Sequence, residues 1–200
     1  MTTEKQPDTP NEVGSLSRSR RWLSTPGARW TALALLVVGL LIGAGGVIGT
    51  QVMVEATSTS EFCGGACHSM QWAAEEYRQS GHHTNAVGVA AGCHDCHVPD
   101  RYPQLLWYKA QAGLHDMIQE MRGVISTKDA FNKERLRLAK VVWAEFKESN
   151  SANCQHCHKF SPEVVAKQPD FVRPMHQQFL ANTATCIDCH KGVAHTAPDE

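Results

Sequence analysis

One long apolar run dominates the hydropathy pattern of the 200-residue chain. Residues 31–54, TALALLVVGLLIGAGGVIGTQVMV, contain no charged side chain. At the helical rise of about 1.5 Å per residue, such a run crosses a hydrocarbon core of roughly 30 Å. A cleaved signal peptide would have an apolar region of only about 7–15 residues. The run therefore predicts an uncleaved transmembrane helix over residues 30–54.

Charges on either side of this run predict its orientation. Because arginines gather on the cytoplasmic side of a span, the N-terminus is expected in the cytoplasm of a bacterium, with the helix anchored in the inner membrane. Residues 1–29 then form a cytoplasmic tail, and residues 55–200 lie in the periplasm. Glycines within the span leave self-association as a homo-oligomer open. The arginines that precede the span are Arg18, Arg20, Arg21 and Arg29.

Beyond the span, the polar and apolar positions favour helices over strands. Residues 70–79, 102–121 and 128–147 are each predicted to be helical, and the last segment is amphipathic. Few segments alternate with the period of a strand. The predicted fold class is mostly α with much irregular structure.

Composition changes this picture by pointing to cofactor chemistry. The formal net charge is −1 and no basic stripe is present, so nothing predicts a nucleic-acid partner. Eight cysteines and eleven histidines are many for a chain of this length. This combination indicates metal or cofactor ligation.

The cysteines form four pairs, and a histidine follows each pair at once. In a covalent haem c site, two thiols add to the two vinyl groups of the porphyrin, and the next histidine binds the iron. The first pair has three residues between its cysteines instead of two, and its glycines are expected to let the loop bulge. The pairs with their histidines are Cys63 and Cys67 with His68, Cys93 and Cys96 with His97, Cys154 and Cys157 with His158, and Cys186 and Cys189 with His190.

Zinc and disulfides are the competing interpretations of paired cysteines. Neither explains a histidine directly after every pair, four times in one chain. We therefore expect four covalently bound haem c groups. Residues 55–200 leave little room for a separate hydrophobic core, so the porphyrins are expected to form the core.

Each iron needs a second axial ligand, and the remaining histidines are the candidates. His94 and His156 lie inside their own attachment loops and are expected to be exposed spectators. His195 follows His190 too closely to fold back on the same iron, so a neighbouring haem is its expected partner. The other candidates are His82, His83, His115 and His176.

Four stretches of the chain resemble the NapC/NirT family of membrane-anchored tetrahaem cytochromes c, including its NrfH-like members. They are EFC…CHSM, SGHHTNAVGV…CHDCHVP, WAEFKESNSANCQHCH and CIDCHKGVAH. The resemblance implies a respiratory quinol dehydrogenase that oxidises menaquinol or ubiquinol from the membrane quinol pool. It further implies that electrons pass along four haems to a periplasmic terminal reductase or a soluble cytochrome.

The resemblance also implies a set of axial ligands. At the first site, either His68 or Met70 binds the iron. His176 is an alternative to the lysine in NapC-like members. The implied pairs are His97 with Lys109, His158 with His195, and His190 with His82 or His83.

A quinol site is expected beside the first haem. Cys63 lies nine residues beyond Val54, so the first haem is the one nearest the membrane. Lys109 and Asp116 are seven positions apart and share a helix face. An ammonium can hydrogen-bond a quinol oxygen, and a carboxylate can accept its proton. In the family, the matching lysine binds the second haem and the matching aspartate borders the quinol pocket.

Other functions compete with quinol oxidation. The same haem chain run in reverse would reduce quinone with electrons from a periplasmic donor. A pure electron relay would lack a quinone site, and a zinc-stapled binding domain would lack haem. A nitrite-reducing terminal enzyme is disfavoured, because no attachment site has a lysine in place of its histidine.

Overall fold

The computed structural model describes residues 25–199. Most of the predicted cytoplasmic tail, residues 1–29, lies outside the described residues. The chain divides into two units, residues 1–53 and 54–200, and the cysteine pairs all belong to the second.

The described part of the first unit belongs to helix α1, Pro26–Ala56, whose last residues enter the second unit. A proline at the first helical position suits the start, since its missing N–H has no partner there in any helix. Thr31 and Thr50 each donate a side-chain hydroxyl to the carbonyl four residues earlier, which satisfies these polar groups within the apolar run. Among the described residues, α1 alone is long and apolar enough to cross a membrane.

The second unit is built from short helices joined by irregular segments, and residues 54–199 contain no strand. A 3₁₀ turn, His68–Met70, follows the first of these helices. The helices are α2 Ser60–Gly65, α3 Gln71–Arg78, α4 Cys93–His97, α5 Gln104–Arg122, α6 Lys128–Glu148, α7 Ala152–Cys157, α8 Pro162–Ala166, α9 Arg173–Leu180 and α10 Cys186–Cys189.

Local capping explains where several helices begin and end. The side chains of Thr59, Thr127 and Ser161 accept backbone N–H groups in the first turns of α2, α6 and α8. These bonds satisfy donors that a helix leaves unpaired at its N-terminus. Gly123, at φ 66°, ends α5 in the left-handed conformation that glycine adopts without strain.

The predicted fold class, mostly α with much irregular structure, is confirmed. The segments predicted as helices at 70–79, 102–121 and 128–147 correspond to α3, α5 and α6, with bounds that differ by one or two residues. The periodicity was therefore sufficient to find the two longest helices of this unit, α5 and α6, and the shorter α3.

The buried apolar residues of the second unit are few within the described part of the chain. Tyr77 is one of them, and its hydroxyl donates to the Ala91 carbonyl at 2.5 Å. A unit of this length normally buries far more apolar surface. This scarcity fits the expectation that bound porphyrins complete the core. The buried apolar residues are Ala74, Tyr77, Phe131, Val165 and Ile187.

Candidate haem-attachment sites

Three attachment loops are single helical turns. In such a turn, residues three apart lie on the same side, so both thiols of α4, α7 or α10 face one direction. Asp95 accepts the backbone N–H of Gly92 at 2.6 Å, and Asp188 accepts that of Thr185 at 2.8 Å. An aspartate before the second cysteine therefore closes the second and fourth loops.

The first loop accommodates its extra residue differently. Cys63 belongs to α2, while Cys67 has an extended backbone at φ −116° and ψ 128°. A Cβ atom on Gly64 would lie 2.6 Å from the Cβ of Ala74, whereas one on Gly65 would meet nothing within 4 Å. The first loop thus depends on glycine for the close approach of α2 to α3. Gly64 and Gly65 both lie in α2, and neither has a positive φ.

Side-chain hydrogen bonds join the four loops in chain order. Ser60, beside the first pair, accepts the backbone N–H of Cys93 at 3.3 Å. Asn153 Nδ2 donates to the carbonyl of Cys96 at 2.8 Å, linking the third loop to the second. The hydroxyl of the fully buried Ser151 accepts the N–H of Ile187 at 3.4 Å, linking the fourth loop to the third. The attachment sites therefore form a continuous series.

The pKa values of the thiols reflect the same contacts between neighbouring loops. A hydrogen bond between Cys63 and Cys93 raises the pKa of Cys63 and lowers the pKa of Cys93 to about 6. Burial, with the neighbouring thiols of Cys186 and Cys96, raises the pKa of Cys154 to about 11. None of the eight cysteines is joined in a disulfide, so a thioether bond at each is compatible with the fold.

Three histidines that follow cysteine pairs each face a second histidine across a gap of constant width. The rings are 6.1 or 6.2 Å apart between centroids, with no hydrogen bond joining them. The pairs are His97 with His195 at 6.1 Å, His82 with His158 at 6.2 Å, and His176 with His190 at 6.1 Å.

This spacing fits an iron atom between each pair. Two metal–nitrogen bonds of ~2 Å, plus ~1 Å from each nitrogen to its ring centre, give about 6 Å. Burial lowers the pKa of His97 to about 4, which keeps its imidazole in the neutral form that binds metals. Burial lowers the pKa of His195 as well, although Glu76 and a hydrogen bond to the Ala73 backbone oppose the shift.

Hydrogen bonds orient two of the opposing histidines. His82 Nδ1–H donates to the Val193 carbonyl at 3.2 Å, and His176 Nδ1–H donates to Gln168 Oε1 at 2.5 Å. Fixing Nδ1 in this way leaves Nε2 of each ring for the metal. The residues present therefore fit axially ligated haem.

The observed pairs differ from those implied by the resemblance. His195 lies opposite His97 rather than His158, and His82 takes the place opposite His158. His176, the alternative ligand, faces His190. His83 instead packs edge-on against Tyr77 at 5.0 Å between ring centroids.

The ammonium group of Lys109 is hydrogen-bonded near the C-terminal end of α1. Its ammonium donates to the carbonyls of Val54 and Thr57 at 3.4 and 3.0 Å and to the Thr57 hydroxyl at 3.0 Å. A cation is favourable at the carbonyl end of a helix. Burial lowers the pKa of Lys109, although the nearby Cys63 thiol opposes the shift.

The first site has an acidic neighbourhood provided by α5. Asp116 and Glu120 both raise the pKa of Cys67, after the larger effect of burial. Glu120 accepts hydrogen bonds from His68 Nδ1–H and from the Ser69 hydroxyl. Lys109 lies near Cys63 and Asp116 near Cys67, so both are neighbours of the first attachment loop. Met70 lies in the same 3₁₀ turn as His68.

A half-buried ion pair holds the segment that carries His195. Arg135 makes two bonds to the Glu76 carboxylate, at 2.8 and 2.6 Å, and a third to the Thr196 carbonyl at 3.1 Å. Glu76 in turn accepts the Thr196 N–H at 3.0 Å. Burial raises the pKa of Glu76, but its bonds to Arg135 and Thr196 outweigh that effect and lower it.

His94 and His156, which were expected to bind no iron, each contact an aspartate at the surface. His94 Nε2 is 3.1 Å from Asp95, and His156 Nδ1 is 3.6 Å from Asp100. All four line a cavity of about 530 Å³ that also contains Val54 and Leu105 but no cysteine. Because a covalent haem contacts both of its cysteines, a haem on any of the cysteine pairs would lie outside this cavity. His115, another candidate ligand, contacts Asp116 at 3.2 Å instead.

Sequence reasoning missed Glu120 and the Glu76–Arg135 pair. Glu120 could have been found from the sequence, since it lies four residues after Asp116 and so shares its helix face. Glu76 and Arg135 are 59 positions apart, and no local pattern indicates that they meet.

The model of the NapC/NirT cytochrome c family, N-terminal region, matches residues 25–200. Among curated relatives, the chain is 44% identical over 179 residues to the cytochrome c-type protein TorC of Escherichia coli (strain K12), covering 88% of this chain and 45% of TorC. It therefore spans about half the length of that relative.

Shorter relatives match over nearly their whole length. The cytochrome c-type protein NapC of Escherichia coli (strain K12) is 36% identical over 190 residues, covering 93% of this chain and 92% of NapC. A putative tetraheme cytochrome-c type protein of Allochromatium vinosum is 38% identical over 170 residues, covering 84% and 91%. No solved structure matches the chain.

Proposed function

The chain belongs to the NapC/NirT cytochrome c family, and from this premise we propose that it is a membrane-anchored tetrahaem quinol dehydrogenase. The family fixes the coarser statement: the chain is an electron-transfer cytochrome with covalently bound haem c. The proposal adds four haems, a quinol substrate and the direction of electron flow. Residues 30–54 anchor the protein in the bacterial inner membrane, residues 1–29 face the cytoplasm, and residues 55–200 form the periplasmic haem domain.

When bound, haem c supplies an iron centre that takes up and releases one electron at a time. The cysteine pairs would hold these groups in fixed positions, and at three of the sites a pair of imidazoles would bind the iron. For the second, third and fourth sites we propose the pairs His97 with His195, His158 with His82, and His190 with His176. The ring separations of 6.1, 6.2 and 6.1 Å support this assignment.

The contact of the four loops in chain order is the observation that carries the function. Ser60, Asn153 and Ser151 each hydrogen-bond the neighbouring loop. A continuous series beginning at Cys63, near the end of the apolar run, and ending at His190 suits the transfer of electrons from membrane to periplasm. A module that only bound a ligand would have no need of such a series.

Asp116 is the proposed proton acceptor for quinol. Oxidation of one quinol to quinone releases two electrons and two protons, and the electrons require two one-electron acceptors. Asp116 stands next to the first attachment loop and is 62% exposed, so it can accept the two protons one after the other and pass each to water. Lys109 holds α5 against Thr57, which keeps Asp116 beside the loop.

The electrons leave for a periplasmic reductase or a soluble cytochrome. His190, at the end of the series, belongs to the fourth site, which is the proposed exit. Menaquinol and ubiquinol both have the two hydroxyl groups that Asp116 and its surroundings would recognise. Relatives named TorC and NapC support an electron-transfer role without defining the recipient.

Replacing Asp116 by asparagine tests the quinol site. In proteoliposomes, we expect Asp116→Asn to reduce the rate of haem reduction by quinol about 10²-fold or more, the usual effect of losing a proton acceptor. Haem content and reduction by dithionite should not change. Asp129→Asn, an exposed aspartate at the start of α6, is the matched control. An unchanged quinol rate in Asp116→Asn would favour the pure relay.

A further inference from the structure

The turn between α6 and α7 contains two consecutive residues in a backbone conformation that side chains rarely adopt. Asn150 and Ser151 have φ values of 51 and 53°, in the left-handed region that glycine adopts without strain. Ser151 is also 0% exposed, although serine is usually a surface residue. Strained residues of this kind persist only where the surrounding structure holds them, and they gather at functional sites. The turn is therefore a candidate for a functional role.

Hydrogen bonds attach this turn to both of the helices that it joins. The N–H of Ser151 donates to the carbonyl of Phe146 at 2.6 Å, near the end of α6. Gln155 Nε2, in α7, donates to the carbonyl of Asn150 at 2.6 Å. The third attachment loop begins directly after the turn, so these bonds hold it at a fixed place relative to α6.

Two side chains of the same short segment reach two different attachment loops. Asn153 Nδ2 donates to the carbonyls of Cys96 and Val98, at 2.8 and 3.1 Å, in and just after the second loop. The Ser151 hydroxyl accepts the N–H of Ile187, in the fourth loop, at 3.4 Å. The segment therefore connects the third loop to the second and to the fourth by separate contacts.

Chain reversal alone does not account for a serine at position 151. Glycine would give the same turn without strain, because it has no Cβ atom. What Ser151 adds is a hydroxyl group that contacts the fourth loop. The strain is consequently associated with the contact between loops rather than with the turn itself.

We propose that Ser151 and Asn153 are positioning residues, each of which sets the distance across one electron-transfer step. Asn153 fixes the third haem site relative to the second, and Ser151 fixes it relative to the fourth. In each step one site loses an electron and the next gains it, with no bond formed or broken. The inference rests on the four haems of the proposed function and is independent of the quinol site.

Anomalous diffraction from crystals of the holoprotein locates each iron and so measures the spacing between sites. In Asn153→Ala we expect the distance from the second to the third iron to change by about 0.5 Å or more, beyond the tolerance within which functional sites are held. The distance from the third to the fourth iron should stay the same. Ser151→Gly should give the reverse pattern, because glycine keeps the left-handed backbone and removes only the hydroxymethyl group.

Two variants in the same segment are matched controls. Asn150→Gly relieves the same kind of strain as Ser151→Gly and keeps the carbonyl that accepts Gln155. Gln155→Ala removes an amide, as Asn153→Ala does, but its bond stays between the turn and the third loop. Both controls should leave the iron spacings unchanged. Equal shifts in a control and its partner variant would overturn the proposal, since relief of strain or general loosening would then explain them.

A kinetic measurement tests whether the spacing matters for electron transfer. His176→Ala opens the fourth iron to carbon monoxide in protein that holds one electron per molecule. A light flash that releases the gas lets the electron return to the third site. Adding Ser151→Gly should slow this return about 10-fold or more, whereas adding Asn150→Gly or Asn153→Ala should not.

The outcomes separate this inference from the proposed function. An unchanged return rate in the variant that also carries Ser151→Gly would overturn the positioning role of Ser151. Loss of quinol oxidation plays no part in either measurement. A protein that shows the expected spacings and rates but does not oxidise quinol would reject the quinol site and leave the positioning residues in place.

Discussion

Replacing Arg135 by glutamine should loosen His195 without disturbing the rest of the domain. Arg135 bonds both carboxylate oxygens of Glu76 and the carbonyl of Thr196, the residue after His195. The two charged side chains are only 15 and 21% exposed. The variant therefore leaves a largely buried carboxylate without its cation.

The size of the effect follows from this burial. Removing one partner of a fully buried ion pair destabilises by roughly 3–5 kcal/mol. Hydrogen bonds to charged groups contribute about 1.5–3 kcal/mol each. Because Glu76 keeps some contact with water, we expect about 2–3 kcal/mol. At 1.4 kcal/mol per factor of ten, the attachment of His195 to its iron weakens roughly 30–150-fold.

Titration of the reduced protein with carbon monoxide measures this change. Carbon monoxide must displace His195 to bind the second iron, so its apparent affinity there should rise by the same factor. Arg137→Gln is the control, since Arg137 pairs with Glu134 on the same helix at 2.5 Å but is 60% exposed. Such a surface pair contributes about 1 kcal/mol at most, which predicts a rise of no more than about 5-fold.

Equal affinities of Arg135→Gln and Arg137→Gln for carbon monoxide would refute this role of Arg135. Circular dichroism of both should match that of the wild type, which separates local release of His195 from general unfolding. Arg135→Lys keeps the charge but loses the two-pronged geometry, so an intermediate affinity is expected.

Three further predictions concern pH, packing and ligand choice. Because the pKa of Glu76 is lowered in the folded protein, the stabilisation from its ion pair with Arg135 is present above the ordinary carboxyl value of 4.5 and is lost as the pH falls through the lower folded value. The affinity of the wild type for carbon monoxide should therefore rise below that pH. An equal rise in Arg135→Gln would contradict the role of Glu76. Gly64→Ala should lower the free energy of unfolding by about 1–3 kcal/mol, because its Cβ would overlap Ala74. Gly65→Ala should leave the free energy of unfolding unchanged, because its Cβ would have no neighbour within 4 Å. Equal losses of stability in the two variants, measured by thermal unfolding, would refute this. His82→Ala should produce a high-spin haem signal in electron paramagnetic resonance, whereas His83→Ala should retain the low-spin spectrum; the reverse result would exchange their roles.

Most of the fold was predictable from the sequence because the signals are local. Hydropathy marked α1, and a period of 3.6 residues marked α3, α5 and α6. Cysteine spacing identified each loop, since two thiols and an imidazole must meet one porphyrin within a single turn. The shared face of Lys109 and Asp116 likewise follows from helix geometry.

What the sequence could not specify are contacts between distant segments. Nothing in SGHHTN distinguishes His82 from His83; the difference arises because Val193, 111 positions from His82, accepts its Nδ1–H. His195 faces His97 because Glu76 and Arg135 hold the neighbouring Thr196. The enlarged first loop requires the close approach of Gly64 to Ala74, which depends on how α2 and α3 pack.

The intact mass of the protein, matured in a host that assembles c-type cytochromes, tests the central claim most directly. Four haems are predicted, because Ser60 and Cys63 contact Cys93 of the second loop and neither Cys63 nor Cys67 is tied up in a disulfide, despite the additional residue between them. Three haems would contradict the account, since quinol would then have no iron to reduce beside Asp116.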